Sequence, residues 1–136
     1  MAGFTLEEVV TAMALSSLCF AGTVKGYGLA ADRAEWSACS LAAQSLAFQR
    51  VEQVKAAKWD TMMYPQMDEL VSTNFPTTTD SLDMPLTGTN AVTATVYTTI
   101  STLASDLRAV QVDCVWSNRG RAVYTNTVVC YRSPSQ

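Results

Sequence analysis

The first part of the chain is apolar on all sides. From Val9 to Val24 the residues are apolar or small, and the next charged residue is Lys25. A helix in a soluble core would carry polar residues along one side, so this distribution predicts a segment surrounded by lipid or by other helices. The run has about 16 residues, fewer than the ~20 that span a bilayer. Four flanking apolar residues lengthen it, namely Phe4, Leu6, Tyr27 and Leu29. Residues 4–29 are therefore predicted to form a transmembrane helix segment.

Residues 30–59 contain no glycine or proline and follow an amphipathic pattern. Apolar side chains recur every three or four residues, and polar side chains occupy the opposite face. The apolar positions are Trp36, Cys39, Ala43, Leu46, Ala47, Val51 and Val54, and the polar ones are Arg33, Glu35, Gln49, Glu52, Gln53 and Lys55. This pattern predicts one continuous helix, from Leu6 to Lys58, whose second half packs against a sheet.

Residues 60–90 differ in character from the helix before them. Pro65, Pro76 and Pro85 interrupt regular structure, and Gly88-Thr89-Asn90 indicates a turn. A connection of about 30 residues is too long for a linker inside a compact domain. We therefore predict an irregular segment with a helical turn at 67–73. Its apolar residues are expected to fold back on the body: Met62, Met63, Tyr64, Met67, Leu70 and Phe75.

Three stretches with alternating polarity follow, at 91–100, 108–116 and 121–132. They are rich in residues that favour strands, and the turn at 117–120 contains the Asn and Gly of a tight hairpin. The predicted inward residues are Val92, Ala94, Val96, Val110, Val112, Cys114 and Trp116. The sequence therefore predicts an α+β fold, in which the long helix packs on a three-stranded antiparallel sheet and residues 30–136 form a globular domain.

Composition narrows the possible functions. The net charge is −3, so no basic field is available to bind nucleic acid. The absence of histidine removes the commonest general base and the commonest metal ligand. The acids Asp80, Asp83, Asp106 and Asp113 form no catalytic motif, and we interpret them as solvated loop or strand residues. The chain is thus predicted to have no enzymatic activity and no cofactor.

The chain has four cysteines, Cys19, Cys39, Cys114 and Cys130, with no CxxC pair among them. In the predicted hairpin Cys114 lies opposite Tyr124 and Cys130 opposite Arg108, which separates the two thiols by about 20 Å along the ladder. The other two lie ~30 Å apart along one helix. Both separations exceed the ~7 Å Cα limit of a disulfide. Free thiols are the default, and a bridge from Cys39 to a strand cysteine stays open.

The residues in front of the apolar run carry the most specific signal. In Gly3-Phe4-Thr5-Leu6-Glu7-Glu8 a small residue and an aromatic residue precede two acids at the start of the apolar run. A secretory signal would have basic residues and a small-x-small cleavage site. A plain membrane anchor has no need of a carboxylate here, since a charge costs up to ~2.5–3.5 kcal/mol at the centre of a membrane helix. The stretch resembles the processing site of type IV prepilins and pseudopilins.

This resemblance implies a role for each matching residue. Prepilin peptidase would remove the leader 1–3 by cutting after Gly3 and would methylate the new amine of Phe4. Glu8 would pair with the amine of a neighbouring subunit, with Glu7 as the alternative acid. The leader contains no Lys or Arg, against the positive-inside expectation, so a translation start upstream of Met1 stays open.

Three glycines, Gly22, Gly26 and Gly28, lie at the end of the apolar run. Two interpretations stay open: close packing of helices through small residues, or a weak point where the helix bends or melts during assembly.

The resemblance implies a structural subunit, favoured as a minor one, of a type IV pilus or a type II secretion pseudopilus. Such a subunit is held in the inner membrane by one helix, with its domain in the periplasm, and then enters a periplasmic or extracellular filament. Its partners would be prepilin peptidase and other pilin or pseudopilin subunits. The alternative is a membrane-tethered periplasmic binding domain that never enters a filament.

Overall fold

The computed structural model describes residues 5–82, 91–118 and 122–134. It confirms an α+β fold that begins with one long helix. The elements in chain order are the helix α1 (Leu6–Ala56), the strands β1 (Trp59–Asp60) and β2 (Met67–Asp68), a 3-10 turn (Ser72–Asn74), and the strands β3 (Thr78–Ser81), β4 (Thr93–Ala104), β5 (Leu107–Asn118) and β6 (Ala122–Arg132). The chain divides into two units, Met1–Ser37 and Ala38–Gln136, and α1 contributes residues to both.

Within the second unit, α1 buries one face at the predicted helical spacing. Its buried residues are Cys39, Ala43, Ala47, Val51 and Val54. Small side chains dominate this face, which lets a helix approach a sheet closely. The helix ends at Ala56, two residues before the predicted end, and Arg132 donates hydrogen bonds to the carbonyl oxygens of Lys55 and Ala57. A cation at this position satisfies carbonyl groups that have no partner within the helix.

The main sheet has four antiparallel strands in the order β3-β4-β5-β6, so the prediction of three strands was wrong. The additional strand, β3, lies in the segment that we predicted to be irregular. It pairs with the first part of β4, from Thr78 opposite Val96 to Ser81 opposite Thr93. Four residues are too few to show a period of two in a sequence, and Pro76 just before them suggested a loop.

The strands β4 and β5 are longer than predicted. β4 continues to Ala104, and β5 runs from Leu107 to Asn118, which places Ser117 and Asn118 in the strand and not in the turn. The strand ends pair as Asn118 opposite Ala122. Residues 119 and 120 of the predicted turn and residue 121 of the predicted third strand lie outside the described residues. Backbone pairing between long neighbouring strands thus extends beyond the alternating part of the sequence.

The inner face of the sheet matches the prediction. Seven residues of β4, β5 and the segment before β4 are buried, namely Val92, Ala94, Val96, Val110, Val112, Cys114 and Trp116. They share one core cluster with the buried face of the helix, together with Trp59, Leu70, Phe75 and Leu82. Of the six residues predicted to fold back on the body, Leu70 and Phe75 are buried, whereas Met62, Met63, Tyr64 and Met67 are exposed.

The segment after α1 contains more regular structure than predicted. β1 and β2 pair as a short antiparallel ribbon, with Trp59 opposite Asp68. The helical turn expected over 67–73 is replaced by β2 and by the later 3-10 turn at Ser72–Asn74. Arg108 attaches this ribbon to the sheet. Its guanidinium lies 4.3 Å from the centre of the Trp59 ring and donates to Asp68 at 2.7 and 2.8 Å.

A polar network also connects helix and sheet. The Asn126 amide nitrogen donates to the side chains of Ser40 and Gln44 at 3.2 and 3.1 Å, and its oxygen accepts from the indole of Trp116 at 2.8 Å. The ring of Trp116 stacks on Tyr124 at 4.8 Å between centroids. Because these groups satisfy one another, the second unit is tied together by specific contacts as well as by apolar burial.

None of the four cysteines, all of which lie in the described residues, forms a disulfide. Our predicted register was two residues off, because Cys114 lies opposite Asn126 and Cys130 lies opposite Val110. Burial raises the pKa of the Cys114 and Cys130 thiols. A raised pKa lowers the thiolate fraction, so these two cysteines are chemically less reactive than exposed ones.

Candidate assembly segment

The start of α1 is fixed by a reciprocal pair of side chains. The backbone nitrogen of Thr5 donates to a carboxylate oxygen of Glu8 at 2.9 Å, and the backbone nitrogen of Glu8 approaches the Thr5 hydroxyl oxygen at 3.4 Å. This is a capping box, in which Thr and Glu three residues apart satisfy two backbone donors at a helix start. It explains why the helix begins at Leu6.

The predicted processing residues Gly3 and Phe4 lie outside the described residues. Through the capping box, Glu8 has a structural partner, Thr5, that was not predicted from the sequence. The signal was present as Thr-x-x-Glu at 5–8. Glu7 differs from Glu8, since its side chain makes no hydrogen bond to any described residue. Both acids lie in the first helical turn, where negative charge opposes the positive end of the helix dipole.

Between Val9 and Val24 the surface of α1 carries no charged side chain. Large side chains are exposed along it, with Met13 at 67% and Phe20 at 74%. Three hydroxyl groups in this stretch donate to backbone carbonyl oxygens one turn earlier: Thr11 to Glu7, Ser17 to Met13 and Thr23 to Cys19, at 2.6–2.9 Å. Their polarity is thus satisfied within the helix, so this stretch is compatible with an apolar environment.

α1 is long and apolar enough to span a membrane. Three glycines interrupt its apolar surface without interrupting the helix. Outside the helix's own neighbouring backbone, a Cβ atom added at Gly22, Gly26 or Gly28 would meet no atom of the described residues within 4 Å. Among these residues, therefore, no packing contact requires glycine at the three positions.

A second surface of interest lies in the second unit, between α1 and the edge strand β3. It is a groove of about 500 Å³. Arg50 and Gln53 border it from the helix, and Thr78 and Asp80 border it from the strand. The Arg50 guanidinium donates to the Thr78 hydroxyl at 2.8 Å. From the sequence, Asp80 was interpreted as a solvated acid without a link to Arg50, because β3 was not predicted.

Within residues 5–82, 91–118 and 122–134, no group of three or more His, Cys, Asp or Glu side chains could hold a metal ion. No protein-family model, curated protein or solved structure matches this chain. The case for a function therefore rests on the chemistry of the N-terminal segment and of the body that follows it.

Proposed function

We propose that this chain is a subunit, favoured as a minor one, of a type IV pilus or a type II secretion pseudopilus. In this proposal prepilin peptidase cuts after Gly3 and methylates Phe4. The N-terminal part of α1 stores the subunit in the inner membrane and then packs among the helices of other subunits. The second unit faces the periplasm or the outside. The observation that carries the proposal is an apolar, exposed helix that places two acids in its first turn, directly after Gly3-Phe4.

The charge chemistry of this start supports assembly through the helix. After a cut at Gly3, Phe4 would bear a free ammonium group, and a carboxylate lies four residues further along at Glu8. Neither charge is stable alone in lipid, whereas an ion pair between neighbouring subunits neutralises both. Such a pair would also fix the axial position of one subunit against the next.

A further supporting observation comes from the helix in the second unit. Leu41 and Phe48 lie seven residues apart, on the face of α1 opposite its buried residues, and they are 73% and 52% exposed. Residues seven apart lie close together on one side of a helix. A helix that packs only on its own sheet would gain nothing from large apolar side chains there. Packing against helices of other subunits would bury them.

Mass spectrometry of the protein purified from membranes tests the proposal. We expect an N-terminal peptide that begins at Phe4 and carries one added methyl group. In cells without prepilin peptidase the residues before Phe4 should remain and the methyl group should be missing. An uncut Gly3–Phe4 bond in cells with an active peptidase, or a cut elsewhere with no methyl on Phe4, would refute the proposal.

The second candidate function is a membrane-tethered periplasmic binding domain, which the groove beside β3 favours. The variant Glu8→Ala separates the two functions, since the substitution lies far along the chain from Arg50 and Asp80. A filament subunit should lose incorporation into sheared filaments. A tethered binding domain should keep its binding activity and its membrane location.

A further inference from the structure

The groove beside β3 has the two walls that a strand-binding site needs. One wall is β3 itself, which pairs with β4 on one side and with no described strand on the other. The other wall is α1, which contributes Gln49, Arg50 and Gln53. An edge strand presents unpaired N–H and C=O groups, and peptides in several domain families bind by adding a strand to such an edge.

The charged groups in this groove, Arg50 and Asp80, make few hydrogen bonds or ion pairs with the described residues. Asp80 forms neither a hydrogen bond nor an ion pair with any described residue. Arg50 uses one donor for Thr78, and a guanidinium has five. Thr78 and Asp80 are two residues apart on one face of β3, so the positive and negative groups are separated by about 7 Å along the groove. Among the residues that the structure describes, no aromatic side chain borders the groove, which disfavours stacking of a sugar ring or a base.

We propose that this groove binds an extended segment of a partner polypeptide, which adds to β3 as a fifth strand. The segment carries an acidic residue that meets Arg50 and a basic residue that meets Asp80. Because alternate side chains of a strand point to the same face, the two residues lie two positions apart in the partner. In an antiparallel segment the basic residue comes first, and in a parallel segment the acidic residue comes first. The inference does not depend on processing at Gly3.

Selection from a library of short random peptides tests the proposal, with the full chain immobilised in detergent micelles. We expect the selected peptides to carry a basic and an acidic residue two positions apart, between residues that favour strands. Asp80→Asn and Arg50→Gln should each weaken the binding of these peptides by about three- to fivefold, as for partly exposed ion pairs. Hydrogen exchange of the β3 amides should slow when a selected peptide is bound.

Asp113→Asn is the matched control, because Asp113 lies on the same sheet but bonds to Gln111 and Thr127 on the other face. It should leave peptide binding unchanged. Three outcomes would overturn the proposal: a selection that yields no peptide, peptides that bind equally well to the Arg50→Gln/Asp80→Asn double variant, or binding without protection of β3. Self-association that Asp80→Asn abolishes would identify a second copy as the occupant and would also overturn it.

Discussion

The two units of this chain differ in how far their apolar side chains are buried. In the second unit, apolar side chains such as Trp116 and Val54 are buried, and the indole nitrogen of Trp116 donates to Asn126 of the same chain. In the first unit, the side chains from Leu6 to Leu29 are all exposed, although most are apolar. Burial of apolar surface contributes roughly 25 cal/mol per Å² to stability. The exposed apolar side chains of the first unit do not make this contribution within the chain.

This difference shows where each unit obtains its stability. The second unit has a core and cross-strand pairs, which suffice for a domain of about 100 residues. An isolated helix is stabilised mostly by packing of its side chains against other elements. The first unit therefore requires a surrounding of lipid or of other helices, and substitutions in the two units should affect different measurements.

The largest effect on folding is expected for Trp116→Ala. Trp116 is 2% exposed, stacks on Tyr124 and donates to Asn126, so its removal leaves a cavity and an unpaired amide oxygen. The free energy of unfolding of the second unit should fall by about 3–5 kcal/mol. Urea denaturation in detergent, followed by tryptophan fluorescence or circular dichroism, measures it. Trp116→Phe keeps most of the volume and should cost about 1–2 kcal/mol.

Phe20→Ala is the control in the first unit. Phe20 is 74% exposed, so its truncation opens no cavity within the chain. We expect the unfolding of the second unit to remain unchanged within about 0.5 kcal/mol. A loss as large as that of Trp116→Ala would contradict the division of the chain into a self-sufficient body and an apolar segment that packs elsewhere.

If the chain assembles into a filament as proposed, Glu8→Gln should lower its incorporation by about tenfold or more. Glutamine can replace glutamate in a capping box, because its side-chain oxygen also accepts from the backbone nitrogen of Thr5. It carries no charge, however, and would leave the Phe4 ammonium of a neighbouring subunit unpaired. Quantitative blotting of sheared filaments against the membrane fraction measures the ratio of assembled to stored protein.

Three related variants, Glu7→Gln, Thr5→Ala and Glu8→Ala, distinguish the charge of Glu8 from its role in the capping box. Glu7→Gln removes the neighbouring acid, whose side chain has no hydrogen-bond partner among the described residues, and should reduce incorporation less. Thr5→Ala removes the hydroxyl of the capping box but keeps the carboxylate. If Glu8→Gln assembles normally and Glu8→Ala does not, Glu8 acts through the capping box and not through its charge. A larger loss for Glu7→Gln than for Glu8→Gln would transfer the pairing role to Glu7.

A smaller and pH-dependent effect is expected at the ribbon of the second unit. The Arg108 guanidinium donates two hydrogen bonds to Asp68, and this lowers the pKa of Asp68 below its usual value of 3.8. A carboxyl group with a lowered pKa stabilises the fold above the unfolded pKa, and this contribution disappears as the pH falls through the folded pKa. Because Asp68 is 36% exposed, solvent limits the contribution to about 1 kcal/mol or less.

Thermal denaturation between about pH 2 and pH 6 tests this linkage. In Asp68→Asn the loss of stability on acidification should be smaller than in the wild type. Arg108→Lys keeps the positive charge but loses the two-pronged geometry. Its loss of stability on acidification should therefore lie between those of the wild type and of Asp68→Asn. An identical acid slope in the wild type and in Asp68→Asn would show that this ion pair does not contribute.

The same contrast explains how much of the structure the sequence could predict. The buried face of α1 from Cys39 to Val54 and the inner faces of β4 and β5 follow regular periods over many residues, so they were predicted. β3 was missed because its four residues show no period and gain their structure from pairing with β4. The register of β5 and β6 was wrong by two residues, because it depends on the length of the turn.

For the candidate site, the predictable part was the order of residue types before the apolar run. The capping role of Thr5 could also have been predicted, from the pattern Thr-x-x-Glu. Glu8 had instead been predicted to pair with the amine of a neighbouring subunit. The juxtaposition of Arg50 and Asp80 was not readable, because 30 residues separate them and only the pairing of β3 with β4 brings them to one groove. Contacts that depend on tertiary pairing leave no local pattern.

A small effect on local helix stability is expected for Gly26→Ala, in the first unit. An added Cβ atom meets nothing within 4 Å, and alanine favours a helix over glycine by about 0.8–1.0 kcal/mol. Hydrogen exchange of the neighbouring amides should therefore slow by up to about fivefold.

The effect on filament incorporation then decides between the two roles of the glycine. Serine matches alanine closely in size but has a lower helix propensity. If the helix must melt locally during assembly, Gly26→Ser should assemble better than Gly26→Ala. If another helix packs closely against Gly26, the two variants should lose incorporation equally, because both place a Cβ atom in the contact.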